Sequence, residues 1–151
     1  MTSRIRDAFD HTTGPPRLLV VGDSHIVSAA ATELAADIDV RLLTNHDGVV
    51  GQSDIIQVTV GDVTDIETLE AAGAAGADAA LVALGTDRQT LLVAHLIRAH
   101  FNIDAITVLV ANPNLRDVFD GIATAVVPGA TVLADELYRQ VTTTLRVTES
   151  A

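Results

Sequence analysis

Cysteine, lysine and tryptophan are all missing from this 151-residue chain. Without cysteine there is no disulfide framework and no thiol chemistry. Aromatics amount to only 3% although hydrophobic residues reach 48%. The core must therefore be built from Ala, Val, Leu and Ile, which suits thin alternating helix and sheet layers better than an aromatic-rich β-sandwich. The absence of Lys leaves 9 Arg against 15 Asp and 5 Glu, a net charge of −11. Such an acidic surface excludes nonspecific nucleic-acid binding and attraction to anionic membranes. Asp in excess over Glu, with Arg as the only strong base, reads as a halophilic composition; codon bias is the alternative. No apolar run approaches the ~18–20 residues of a membrane span. Residues 1–16 hold no apolar signal core. The expectation is a cytoplasmic protein with no direct membrane insertion and, at this length, one domain.

Apolar runs alternate with helical patterns from Arg17 onward. The spacing predicts strands over 17–21, 40–44, 55–60, 79–84, 106–111 and 124–127. It predicts helices over 25–36, 65–73, 88–100, 113–120 and 131–146. Short, continuous Val, Ile and Leu runs separated by helices indicate a parallel sheet buried on both faces. Residues 1–16, closed by Gly14-Pro15-Pro16, form a flexible or short helical lead-in suggested by the Ile5/Ala8/Phe9 spacing. The main unit runs over 17–147, and 148–151 is a tail. Thr64-x-x-Glu67 and Thr86-x-x-Gln89 read as capping boxes. Leu91, Leu92, His95, Leu96 and Ala99 predict the apolar stripe of helix 88–100. Residues 45–54, with two glycines, predict an irregular connection.

The stretch 17–34 reads as a buried strand, a turn at Gly22, then a helix. This is where a dinucleotide-binding fold carries its phosphate loop, G-x-G-x-x-G. Gly22 supplies the first glycine. Ser24 and Val27 stand at the other two. A Cβ at Ser24 crowds a pyrophosphate, although its hydroxyl can bond one. A branched Val27 should push the helix outward or tilt it. Asp23 brings a negative charge to the helix N-terminus, opposing a phosphate if it points inward. His25 in the same loop can meet an anion. After strand two, an acidic residue would clasp the ribose hydroxyls; Thr44 and Asn45 stand there instead. Arg41 falls on the opposite side of that strand, which disfavours a 2′-phosphate.

Three further landmarks follow in order: Val-Gly-Asp-Val-Thr-Asp at 60–65, Leu-Gly-Thr-Asp-Arg-Gln-Thr-Leu-Leu at 84–92, and Ala-Asn-Pro-Asn-Leu-Arg-Asp-Val-Phe at 111–119. Over about 17–147 the chain resembles the N-terminal nucleotide-binding domain of the TrkA/RCK family, regulators of potassium transport and conductance. The resemblance implies a Rossmann-like, doubly wound α/β fold with a six-stranded parallel sheet in the order 3-2-1-4-5-6. It also implies a homodimer, a bound NAD(H), ATP or ADP, no metal, and a membrane potassium transporter or channel as partner. Asp62 then matches a position near the adenine, or else is a polar residue leading into a helix. Gly85 and Asp87 line the crevice mouth after strand four, or Asp87 simply caps its helix. Only four residues follow 147, so a second regulatory lobe is not expected in this chain.

Two functions compete. One is a non-catalytic, nucleotide-sensing regulatory domain of a potassium transport system. The other is a degenerate Rossmann module with no working nucleotide site, retained for structure or dimerisation through Val132, Leu133, Leu137, Val141 and Leu145. That stripe has a simpler alternative, packing on its own sheet. An oxidoreductase would need a substrate domain. The five His residues lack metal-ligand spacing, and His95 reads as a packed histidine. Neither a nucleophile elbow nor a Walker A loop is present.

Overall fold

The computed structural model describes residues 15–45 and 56–150, the last four by backbone alone. Six strands form one sheet: β1 (Arg17–Gly22), β2 (Asp39–Thr44), β3 (Gln57–Val60), β4 (Ala79–Ala83), β5 (Ala105–Val110) and β6 (Ala125–Pro128). Among the described residues four α-helices accompany them: α1 (His25–Leu34), α2 (Ile66–Ala71), α3 (Asp87–Phe101) and α4 (Gly129–Ser150). The strand order is β3-β2-β1-β4-β5-β6 and every pairing is parallel. The alternation of apolar runs predicts the parallel sheet, and the doubly wound order is the one that the TrkA/RCK resemblance implies. The lead-in helix at Ile5/Ala8/Phe9 and residues 46–54 of the irregular connection lie outside the described residues.

The strand period of two sends successive side chains to opposite faces. On one face Leu19, Val21, Leu43, Val82, Ile106, Val108 and Val110 meet Leu69 of α2, Val93, Ala94 and Ile97 of α3, and Phe119. On the other, Leu18, Val20, Val40 and Leu42 meet Val27 and Ala31 of α1. Central β1 is buried at five of its six residues, whereas edge strands β3 and β6 keep exposed ones. The expectation of strands buried on both faces therefore fails at the edges, where no neighbour continues the sheet.

Several local readings change. The segment 113–120 is a 3-10 helix over Pro113–Phe119; Pro113 takes its first turn and Asn112 Oδ1 accepts from Asn114 N–H at 3.0 Å. The capping box at Thr64 does not form. Thr64 donates instead to Asp62, and Asp65 is the N-cap. The box at Thr86 forms its forward bond, with Thr86 Oγ1 accepting from Gln89 N–H at 3.2 Å. The buried stripe of α3 is Thr90, Val93, Ala94 and Ile97, rotated from the predicted one. Leu91 and Leu96 are half-buried on its flank, and Leu92 and His95 are exposed. An exposed His95 is not a packed histidine.

The largest departure is α4. It begins at Gly129 rather than 131 and continues for 22 residues, roughly 33 Å at 1.5 Å per residue. It touches β5, β6 and the 3-10 helix, yet from Ala130 to Arg146 only Thr142 is even half-buried. Val132, Leu133, Leu137, Val141 and Leu145 are each more than half exposed. This face does not pack on its own sheet. Gly129 opens the helix close to the sheet. A Cβ there would lie 2.8 Å from Leu109 Cδ1, so the helix starts tight against β5.

Candidate functional site

In an order of 3-2-1-4-5-6 the direction of winding reverses between β1 and β4. Open α/β sheets bind ligands in the crevice at the carboxyl ends of those strands. Gly22 pairs with Ala83 at that point. From there β1 leads into α1 on one face and β4 into α3 on the other.

The glycine requirement at Gly22 is steric. A Cβ would lie 2.6 and 2.8 Å from the two Val27 methyls and 2.8 Å from the Ala83 carbonyl oxygen. Val27, at the third glycine position, therefore sits directly over Gly22 and is 2% exposed. Its methyl groups use the space that the missing side chain leaves open. Ser24 is the N-cap of α1, and its Oγ accepts from Val27 N–H at 3.4 Å. A donor that a phosphate would otherwise meet is thus turned toward the protein itself.

Asp23 points across the crevice. A Cβ built on Gly85 would touch Asp23 Oδ2 at 3.5 Å, so the carboxylate stands against the loop after β4. This answers the conditional reading of its charge: the side chain faces inward. His25 and Asn45 are exposed. Thr44 is fully buried at the end of β2, and its carbonyl accepts from Gly61 N–H at 3.0 Å. Arg41 lies on the opposite face, its stem under Gly73.

Asp62 is exposed and held in a local turn. Thr64 Oγ1 donates to Asp62 Oδ1 at 2.6 Å, and Thr64 N–H donates to the same oxygen at 2.9 Å. These two bonds, the hydroxyl's first, hold the Asp62 carboxyl below its ordinary value. Asp87 is a staple between loops: its two oxygens accept from Ala111 N–H at 2.8 Å and Asn112 N–H at 3.0 Å. It is not the helix cap of its structural reading, since Thr86 is the N-cap. Gly85 and Asp87 do line a cavity of about 280 Å³ together with Leu84, Leu109, Gly129 and Leu133.

Sequence reasoning missed two contributors. Thr90 is fully buried, and its Oγ1 accepts from Leu84 N–H at 3.0 Å, fixing the backbone that enters the crevice mouth. Its position four residues into a capped helix, among apolar neighbours, was the available signal. Leu133 and Gly129 bring α4 into the same cavity. Nothing in a local pattern shows that a C-terminal helix returns to the end of β4. Among the described residues no group of His, Cys, Asp or Glu is arranged to hold a metal. No helix there is long and apolar enough to cross a membrane.

The sheet order, the βα turn at Gly22 and the crevice define a Rossmann-like α/β domain. The TrkA-N domain family matches residues 18–128, and the chain belongs to that family. No curated protein matches the chain. Among solved structures it is similar to the TrkA-N domain of the inner membrane protein ybaL from Escherichia coli. That match has 16% identity and a TM-score of 0.69, covering 85% of this chain and 98% of that one. It is also similar to the GsuK RCK domain, at 18% identity and a TM-score of 0.64, covering 76% and 26%. A third similar structure is the GsuK channel bound to NAD, at 17% identity and a TM-score of 0.63, covering 83% and 25%. The chain spans about a quarter of the length of these GsuK chains. At such identities the likeness carries the fold.

Proposed function

We propose that this chain is a non-catalytic regulatory domain of a potassium transport or channel system, acting on the cytoplasmic side as a homodimer. Its ligand is an adenine nucleotide or dinucleotide, of the class NAD(H), ATP and ADP, in the crevice between β1 and β4. The observation that carries this reading is the switch point itself, where Gly22 pairs with Ala83 as the winding reverses. Beyond it, Gly85 shares a cavity on the β4–β5 side with Leu133 of α4, the helix whose apolar face is exposed. The second copy is the occupant of that face, because α4 extends about 33 Å with its apolar residues recurring at 133, 137, 141 and 145. A stripe at that spacing is self-complementary across a two-fold axis. Regulation is then a population shift, in which the ligand favours one disposition of α4 and the transport partner reads it. The acidic, lysine-free surface fits a halophilic setting.

A second reading rests on the loop itself. Val27 seated on Gly22, Ser24 capping Val27 and Asp23 facing inward suit a module whose crevice holds no nucleotide and whose task is dimerisation. Thermal melting in KCl with NAD, NADH, ATP, ADP and AMP separates the two. A ligand at a hundredfold excess over its Kd stabilises by about 2.7 kcal/mol. A flat response to all five leaves the second reading. Sedimentation in the same buffer tests the dimer, and a clean monomer counts against both readings.

A further inference from the structure

We infer that Asp23 is a specificity-determining residue that selects against phosphate charge at the crevice, so that affinity falls as phosphates are added to an adenosine ligand. The inference rests on the proposal that this crevice takes an adenine nucleotide, and it reverses the ordinary preference of such a site. Dinucleotide loops normally offer bare backbone and an uncompensated helix N-terminus to the pyrophosphate. Here three observations act together against that. The Asp23 carboxylate reaches across the β1–β4 junction to within 3.5 Å of where a Cβ on Gly85 would lie. Ser24 Oγ already accepts from Val27 N–H. Ser24 also carries a Cβ where the fingerprint has glycine. Arg17, Arg98 and Arg139 are paired with Asp39, Asp104 and Glu136, and Arg41 lies under Gly73.

The size of the discrimination follows from Coulomb's law. A phosphate charge about 6 Å from the carboxylate, at an effective dielectric near 20, is disfavoured roughly a hundredfold. Salt removes much of this where the crevice is wet, because the screening length shortens from about 8 Å at 0.15 M to about 3 Å at 1 M. The uncharged ribose and base feel neither effect.

The test is calorimetric titration of the whole chain with adenosine, AMP, ADP and NAD at 0.15 M and 2 M KCl, in wild type, Asp23→Asn and Asp23→Ser. Wild type is expected to bind adenosine more tightly than ADP or NAD at low salt, with the gap narrowing at high salt. Both variants should raise affinity for ADP and NAD by tenfold to a hundredfold at low salt and leave adenosine unchanged. Two variants guard against a folding defect in either one, and circular dichroism checks both. Wild type binding ADP or NAD more tightly than adenosine overturns the inference. So do variants whose ADP and NAD affinities at low salt stay at the wild-type values, and in both cases the nucleotide-sensing proposal survives. Failure of every ligand to bind wild type and both variants overturns the inference and that proposal together.

Discussion

Replacing Gly22 with Ala tests how Val27 is accommodated in the loop. The added Cβ would approach Val27 Cγ1 at 2.6 Å, Val27 Cγ2 at 2.8 Å and the Ala83 carbonyl oxygen at 2.8 Å. Val27 and Ala83 are both buried, and β-branching leaves Val27 little rotamer freedom. The substitution should therefore cost about 3 kcal/mol, the upper part of the range for overpacking a tight site. For a chain of this length that lowers Tm by roughly 6–12 °C. Val27→Ala alone removes two buried methyl groups and should cost about 2 kcal/mol. In the double variant both methyl contacts are gone and only the Ala83 oxygen still crowds the new Cβ. The pair should then cost about 3–4 kcal/mol rather than the additive ~5, a coupling of about 1–2 kcal/mol. Urea unfolding followed by circular dichroism at fixed KCl measures all four proteins. Additivity to within about 0.5 kcal/mol would refute the idea that Val27 fills the space above Gly22.

Thr90→Val keeps the shape but leaves the Leu84 N–H without its acceptor; a loss of about 1–3 kcal/mol is expected, and Thr90→Ser should recover part of it. Asp87→Ala frees the two loop amides of Ala111 and Asn112. These are water-accessible, so a modest loss of about 1–2 kcal/mol is expected, read by the same unfolding assay. Leu137→Glu places a charge in the exposed face of α4, where Leu137 is 65% exposed. Sedimentation should then report monomers while the unfolding of the monomer is little changed. The carboxyl of Asp62 is held below its ordinary value by Thr64. The turn therefore contributes its stability above the unfolded Asp value of about 3.9 and loses it as pH falls through the lowered value. A carboxyl NMR titration should place the Asp62 midpoint below that of an exposed Asp, and Thr64→Ala should bring it back up.

The sheet was legible because each strand is a short apolar run fenced by Gly, Asp or Asn, and the inner runs bury on two faces. Gly22 was legible as a tight turn because a buried strand ends there and a helix begins. What stayed hidden depends on neighbours distant in sequence. The buried face of α3 includes a threonine, and an apolar count skips Thr90 in favour of Leu92. That choice is decided by the Leu84 amide, six residues earlier, which needs an acceptor. Thr64 matched a capping pattern, yet Asp62 two residues before it is the stronger acceptor and captures the hydroxyl. Asp87 was weighed as ligand contact or cap. Its actual partners, amides 24 and 25 residues further on, belong to another loop.

The loop after β1 shows why a degenerate fingerprint does not by itself predict a disturbed fold. A branched residue at the third glycine position was expected to displace or tilt the helix, because that glycine ordinarily lets helix and strand pack closely. Val27 instead turns its methyls onto Gly22, the residue with no side chain to collide with, and is buried with Ala31 against β1 and β2. Packing at this junction is thus kept by a glycine on the strand side and a valine on the helix side. The change falls on the ligand face. A loop whose interior contacts are satisfied, whose cap is taken by Ser24 and whose crevice is entered by Asp23 has no structural reason to lose its shape when empty. Ligand binding then has little left to order in this loop. The cavity that Gly85 shares with Leu133 of α4 lies on the β4–β5 side, away from this loop.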